Sequence, residues 1–499
     1  MKGRKKEILI IAIVLIIQTI IYIICGINKS YIHMDEAYSL GLASYEKTEI
    51  QNNEDFYNNW HNGEYYEDYL SVQDDEIGKY SQVYENQKND VHPPLYYLIL
   101  RFAMGFTKGH YSKWPGITIN IIIHMFITIV SSIILASITN VLYIRMYALS
   151  TLNILITTYL HMKLLDTKKI DTKLLIFIGI SALIGSLTHY YYLFYLAMLY
   201  IIFAVKYIKE KEYKNLIYYT ATMAIAGIIS LIIFPYSIQH MFFGYRGQGV
   251  ISNLTNIPKF LESISLYLIK INYHGFNNLL FIILIVILGL LIYKKIVKNT
   301  KSIESNEYLK IMYLPTAFYF ILVAIASPWI ELRYVMPVCG LIFILVIFLL
   351  YQILKTIFDE KRSNIIMLIT LIVISITPLI LKMEPEEMFS DKREIVNKLG
   401  NELNVPTLFL FNSQQNRFLD DILLFSVIDE SYVAKDLNYT EENIQEILKN
   451  KDISKGIVIF INEGQNNDNI LEIVKNATDL NNCQYLKRLN ACDVYYMHR

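Results

Sequence analysis

Two adjacent carboxylates, Asp35 and Glu36 in His33-Met34-Asp35-Glu36-Ala37-Tyr38, follow the first apolar run of the chain by a few residues. Carboxylates so near a hydrocarbon layer are costly to hold unless water, a cation or a substrate meets them. One that is held in place can take a proton from an attacking hydroxyl or amine. Other polar groups fall on the same side of the layer. His92 and Tyr96 lie in His92-Pro93-Pro94-Leu95-Tyr96-Tyr97, and Arg145 and Tyr147 open a later run. His189 and Tyr190 lie in Thr188-His189-Tyr190-Tyr191-Tyr192, and Glu331, Arg333 and Tyr334 in Ser327-Pro328-Trp329-Ile330-Glu331-Leu332-Arg333-Tyr334. Arg246, in Tyr245-Arg246-Gly247-Gln248-Gly249, adds a cation on a flexible stretch. The arginine fork suits phosphate oxygens. A base beside phosphate-seeking cations fits displacement at a carbon whose leaving group is a phosphate, because charge on the departing oxygen is then stabilised. A lipid-linked phosphosugar meets both demands while its tail stays in the bilayer.

Each group has a bland alternative. The alternative for Asp35 and Glu36 is an ordinary polar helix end, and Trp329, Tyr191 and Tyr192 read as an interfacial aromatic belt that needs no function. Arg145 fits a side chain snorkelling to headgroups, and Arg101 one snorkelling towards the inner face. Glu331 and Arg333 fit a structural ion pair. His124 reads as a hydrogen-bonded core histidine.

The elements that must position these residues are membrane helices. The 499 residues are 54% hydrophobic and 18% charged, with 45 basic and 45 acidic side chains and a mean hydropathy of +0.34. The apolar residues gather in runs near 7–28, 94–107, 117–139, 144–163, 173–187, 189–207, 215–237, 277–297, 309–327, 333–356 and 363–381. These predict an all-α polytopic membrane protein with about eleven transmembrane helices. The N-terminal run lacks an Ala-x-Ala-like cleavage site and reads as a retained first helix. Lysines and arginines mark every second connection, starting with the N-terminus and the link carrying Lys108 and Lys113. That places the N-terminus inside and the tail outside. The first outside segment, 29–92, is acidic and rich in aromatics, with Ala37–Tyr45 reading as a surface-lying helix; a second outside loop spans 238–276. The wealth of Ile, Asn, Lys and Tyr is that of an AT-rich bacterial genome, so the expected location is a bacterial cytoplasmic membrane.

Residues 1–381 thus form a membrane domain and 383–499 a small extracytoplasmic α/β domain. In the tail, strands are expected at 407–411, 456–461 and 494–496, and helices at 441–448 and 467–475. Cys483 and Cys492 could pair there, while Cys25 and Cys339 read as packing residues. There is no tract of nucleic-acid-binding character and no Cys/His cluster with zinc-site spacing. The acids outside form no complete metal ligand set. A divalent metal is compatible with the acidic pair but not required, since arginines can stabilise the same charge.

Taken together, the Asp-Glu pair after the first span, His-Pro-Pro-Leu-Tyr-Tyr at the second, Arg-x-Tyr, His-Tyr, and Arg333-Tyr334-Val335-Met336-Pro337 resemble the polyprenyl-phosphate-dependent glycosyltransferases of the GT-C superfamily. The likeness is to the branch that holds the protein O-mannosyltransferase-like and aminoarabinose-transferase-like enzymes, and it covers about 1–381. It implies that Asp35 is the catalytic carboxylate, with Glu36 a second acid or metal ligand, and that Arg333 lies near the donor phosphate. Where many members have Lys-Pro-Pro, this chain has His92-Pro93-Pro94. The implied reaction transfers a sugar with inversion from a polyprenyl-phosphate donor to a protein, lipid or cell-wall polymer. A transporter or lipid flippase is the competing reading; it predicts polar residues near the bilayer midplane and discontinuous helices in two related halves. A third is a surface-assembly or sensor protein that binds through its tail.

Overall fold

The computed structural model describes residues 2–44, 54–131, 138–167, 171–244, 248, 253, 256–297, 306–380, 392–411, 418–435, 439–489 and 492–499. Its membrane part contains α1 (Lys2–Asn28), α2 (Met34–Ser44), α3 (Gly63–Leu70), α4 (Ser81–Asn89), α5 (Leu95–Met104) and α6 (Trp114–Ser131). Next come α7 (Ile138–Leu142), α8 (Tyr147–Leu165), α9 (Thr172–Ser186), α10 (Tyr192–Lys209) and α11 (Tyr213–Ile233). Helices Ile257–Phe276, Leu280–Ile296, Glu307–Ala326, Met336–Ile357 and Glu360–Ile380 complete it.

Among the described residues, 5 helices are long and apolar enough to cross a membrane, or 6 if Ile257–Phe276 and Leu280–Ile296, bent by 95°, count as one span. The eleven spans expected from hydropathy are not all found on these criteria. Several apolar helices, including Trp114–Thr128 and Thr172–Ser186, are shorter. Side chains such as Ile16, Ile20, Ile217, Ile228 and Ile285 stand exposed along the bundle, a surface suited to lipid. This is the architecture of a multi-pass membrane protein.

The run at 94–107 departs from its expected course. Arg101 does not snorkel to a far face. It is buried and donates to the carbonyls of Ala43, Ser44 and Glu76 and to Gln82 Oε1, all at 2.8–3.1 Å. Beyond α5, Gly109 N–H donates to the Val72 carbonyl and Tyr111 N–H to Glu67. Lys113 donates to the carbonyls of Ile27 and Lys29 at the end of α1. Both ends of α5 therefore meet the 29–92 segment. Its ten residues make about 15 Å of helix, roughly half the thickness of a hydrocarbon core, so α5 alone is too short for a span. Lys108 and Lys113 belong to the same end of the bundle as Asp35. The expected loop 238–276 likewise contains a 20-residue helix, Ile257–Phe276. Nor does α2 lie on a surface: every residue from Ala37 to Ser44 except Tyr38 is buried.

Within the bundle a ladder of polar side chains runs along α8. Asn153 bonds Thr188, Thr157 bonds Ser181 and Tyr192, Thr158 bonds Tyr195, and His161 bonds Tyr219. Polar residues thus extend deeper than the expected one-sided cluster, but these partners satisfy one another. His124 differs again from expectation: it is buried, edge-on to Tyr22, and neither ring nitrogen is hydrogen-bonded among the described residues.

The tail folds into a sheet whose strands run in the order β1 (Trp60–His61), β3 (Ser431–Lys435), β2 (Thr407–Phe411), β4 (Ile457–Asn462), β6 (Cys492–His498) and β5 (Asn482–Leu489). β2 (Thr407–Phe411) is parallel to β3 (Ser431–Lys435) and β4 (Ile457–Asn462), and β5 (Asn482–Leu489) and β6 (Cys492–His498) form an antiparallel hairpin beside β4. Strands near 407, 457 and 494 and helices Glu441–Leu448 and Asn467–Thr478 match the reading from periodicity. β1 (Trp60–His61) comes from the 29–92 segment and pairs with β3. Alternation splits the sheet. Leu408 and Leu410 face the helices with Ile444 and Ile470, while Phe409 and Phe460 face Phe425 in the core shared with the membrane part. Cys483 pairs in register with Met497 and Cys492 with Leu489, so the two cysteines sit at opposite ends of the hairpin and are not bonded.

Candidate active site

α2 begins directly after α1 and carries both acids, which diverge from each other. Asp35 Oδ2 accepts from Arg333 Nη1 at 2.7 Å and from the Tyr143 hydroxyl at 2.6 Å. His33 Nδ1 is 3.6 Å from the same oxygen. Glu36 is sealed. Its carboxylate takes the Lys29 ammonium, the Ile144 N–H at 2.9 Å and the His33 N–H at 2.8 Å. Lys29 also donates to the Leu142 carbonyl at 2.6 Å, so this buried pair ties the end of α1 to the α7–α8 link. Glu36 was expected to act beside Asp35; in the fold it holds the link that presents Tyr143 and Arg145.

Arg145 lies behind Asp35. Its Nη1 donates to the Asp35 carbonyl and to Ser39 Oγ, each at 3.1 Å, and its Nη2 is 3.5 Å from His92 Nε2. Asp90 fixes the His92 tautomer, because a carboxylate 2.7 Å from Nδ1 can only accept. Nε2 is then an acceptor facing Arg145. Arg145 is therefore buried and anchored, and does not reach for headgroups.

Burial would raise the Asp35 carboxyl, but Arg333 and then Arg145, with the Tyr143 hydrogen bond, hold it well below the usual carboxylate range. The same contact with Asp35 pushes Arg333 up against its own burial. Asp35 and Arg333 keep 13% and 15% of their side-chain surface, so the pair is reachable from outside.

Around it stand His189, with its ring 5.5 Å from Tyr147 and 6.5 Å from His92, and Tyr334, whose ring lies 5.4 Å from the Arg333 guanidinium. Tyr96 is fully buried near Asn120 and Glu36. Among the described residues, the buried hydroxyls of Tyr97 and Tyr147 and Arg145 Nε have no hydrogen-bond partner. Such atoms cost free energy unless a ligand meets them. Tyr97 and Tyr147 both feel the charges of Arg145 and Asp35.

Two expected site residues, Tyr190 and Glu331, are engaged elsewhere. The Tyr190 hydroxyl bonds His240 Nδ1 at 2.9 Å, joining the α9–α10 link to the turn that follows α11. Glu331 pairs with Lys270 at 3.2 Å and leaves Arg333 to Asp35. Arg246 lies outside the described residues. Sequence reading missed Tyr143, which stands two residues before the flagged Arg145, and Lys29, which stands next to the span end. The tail also reaches the site: Asp420 Oδ1 accepts the Met34 N–H at 2.9 Å.

Among the described residues no three His, Cys, Asp or Glu side chains converge as a metal site. A concavity of about 530 Å³ lies on the tail between Trp60, Tyr432, Glu446 and Lys451, away from Asp35. Compared with protein-family models and with curated proteins, the chain matches none.

Proposed function

We propose that this chain is an integral-membrane glycosyltransferase of the GT-C type, moving a sugar from a polyprenyl-phosphate donor to an extracytoplasmic acceptor with inversion. The observation that carries the reading is the Asp35–Arg333 contact at 2.7 Å, on the end of a bundle of apolar helices and open to approach. A proton acceptor and a phosphate-seeking cation touch there, and unpartnered polar atoms of Tyr97, Tyr147 and Arg145 stand behind them.

In this reading the donor phosphate competes for Arg333. Once the guanidinium turns to the phosphate, Asp35 loses its strongest counter-charge and becomes a better base. Asp35 then takes the proton of the acceptor hydroxyl as the acceptor oxygen bonds to the anomeric carbon. The bond from that carbon to the phosphate oxygen breaks, and the polyprenyl phosphate leaves with the electron pair, stabilised by Arg333. Tyr143 holds the carboxylate in place, while Arg145 fixes α2 through the Asp35 carbonyl and Ser39. We take the Asp35 end as extracytoplasmic because Lys163, Lys206, Lys209, Lys294, Lys295 and Lys355 lie at the opposite helix ends. The test is transfer from a polyprenyl-phosphate sugar in membranes bearing Asp35→Asn. Full activity in a correctly folded variant removes Asp35 as the base.

A further inference from the structure

The first turn of an α-helix carries N–H groups with no partner inside the helix. At the start of α2 the local chain answers most of them. The His33 carbonyl accepts the N–H of Glu36 at 2.8 Å and of Ala37 at 3.1 Å, and His33 Nδ1 accepts the N–H of Asp35 at 3.1 Å. Glu36 reaches back to the His33 N–H, which completes a capping box. The Met34 N–H is left over, and Asp420 Oδ1 takes it from 386 positions along the chain.

Asp420 is itself anchored. Asp421, beside it, accepts the Tyr31 hydroxyl at 3.0 Å and the Lys392 ammonium at 2.8 Å, and Lys392 sits 3.8 Å from the centre of the Tyr31 ring. Asp420, Asp421 and Lys392 are all buried. Burial raises the Asp420 carboxyl, opposed by His33, raised again by Asp421, and opposed by the Met34 N–H and Lys392. A carboxylate buried at this cost is worth its place only where a specific donor meets it. The helix dipole favours negative charge at the same position.

We propose that Asp420 is a positioning residue for Asp35: the tail supplies the missing cap of the helix that carries the base and so fixes the carboxylate against Arg333 and Tyr143. The cap is independent of the reaction assigned above; its effect on turnover rests on that reading.

The test uses the full chain with Asp420→Asn, which keeps an acceptor oxygen, and Asp420→Leu, which keeps the volume without one. Hydrogen exchange of residues 34–37 and transfer kinetics are both read. Asp420→Leu should speed exchange in this turn at least about threefold and lower kcat about tenfold with the donor KM unchanged. Asp420→Asn should restore both. Exchange at β2 and β4 reports whether the tail stays folded. If Asp420→Leu loosens those strands, Met34→Pro removes the same bond from the other side, at a position where helices tolerate proline; it should lower kcat and leave the sheet intact. Unchanged exchange and kcat in Asp420→Leu with an intact sheet, or in Met34→Pro, overturns the proposal, as does equal behaviour of the Asn and Leu variants. If the parent protein transfers no sugar from any polyprenyl phosphate, the functional reading fails and the exchange data still decide the cap.

Discussion

Asp35 Oδ2 is gripped at once by the Arg333 guanidinium at 2.7 Å and the Tyr143 hydroxyl at 2.6 Å, an arrangement that makes the free protein's carboxylate a weak base. If the donor draws Arg333 away, basicity should appear only after binding. The pH profile of kcat/KM reports the free enzyme and that of kcat the bound one. Asp35 is held well below the usual carboxylate range in the free state. The acid limb of kcat should therefore lie at least about one pH unit above that of kcat/KM for the donor. Coincident limbs would count against exchange of partners at Arg333.

Replacing Arg333 separates its charge from its shape. Lysine keeps the cation but loses the two-pronged fork, so Arg333→Lys should lower kcat/KM for the donor about a hundredfold. Arg333→Gln also removes the main counter-charge of Asp35. A depressed carboxylate contributes stability that is full above its unfolded value and lost as pH falls through its folded value. The thermal stability gap between parent and Arg333→Gln should then be widest near neutrality and narrow on acidification, as the carboxyl of the variant protonates first. A gap that grew on acidification would contradict the assigned pairing.

Much of this site can be read from residue type alone, because Asp35, Arg145 and Arg333 are charges at helix ends where charge is costly. Hydropathy also finds the long helices. It fails at α5, where the residues are apolar enough to span but Arg101, buried at one end, is held by carbonyls of the 29–92 segment. Composition cannot tell a short helix held by the carbonyls of a neighbouring segment from one that faces lipid on all sides. Long-range partners are equally silent in sequence. Glu331 has Arg333 two residues away, yet Lys270 from another helix takes it. Trp60 and His61 carry no strand period of their own and become β1 only because β3 has an open edge.

The two neighbouring acids should fail in opposite ways. Glu36 is fully buried, and its oxygens serve Lys29 and two backbone N–H groups. Glu36→Gln leaves the Lys29 ammonium buried without its counter-charge, which costs about 3–5 kcal/mol. Asp35→Asn keeps the hydrogen-bonding shape but loses the ion pair with Arg333, which retains some access to water, so it should cost less stability than Glu36→Gln, while turnover falls about 10²–10⁴-fold. Thermal unfolding in detergent beside a transfer assay reads both. Loss of turnover without loss of stability in Glu36→Gln would reassign it to the chemistry.

Tyr147 and Tyr190 separate a hydroxyl that awaits a ligand from one already engaged. The Tyr147 hydroxyl is buried without a partner among the described residues, next to charges on Arg145, Arg333 and Asp35. In the free protein its removal deletes an unsatisfied group, so Tyr147→Phe should leave stability equal or slightly higher. With donor bound, the same change removes a bond to the ligand, and affinity for a polyprenyl phosphate should fall about tenfold. Tyr190 presents the reverse case, since its hydroxyl bonds His240, whose Nε2 donates to the Lys88 carbonyl at 3.1 Å. Tyr190→Phe should cost about 1 kcal/mol of stability and leave donor affinity unchanged. Binding of a radiolabelled polyprenyl phosphate, set beside the unfolding temperatures, distinguishes the two. If Tyr190→Phe weakened binding while Tyr147→Phe did not, the donor would lie on the His240 side of the α9–α10 link, away from Arg333.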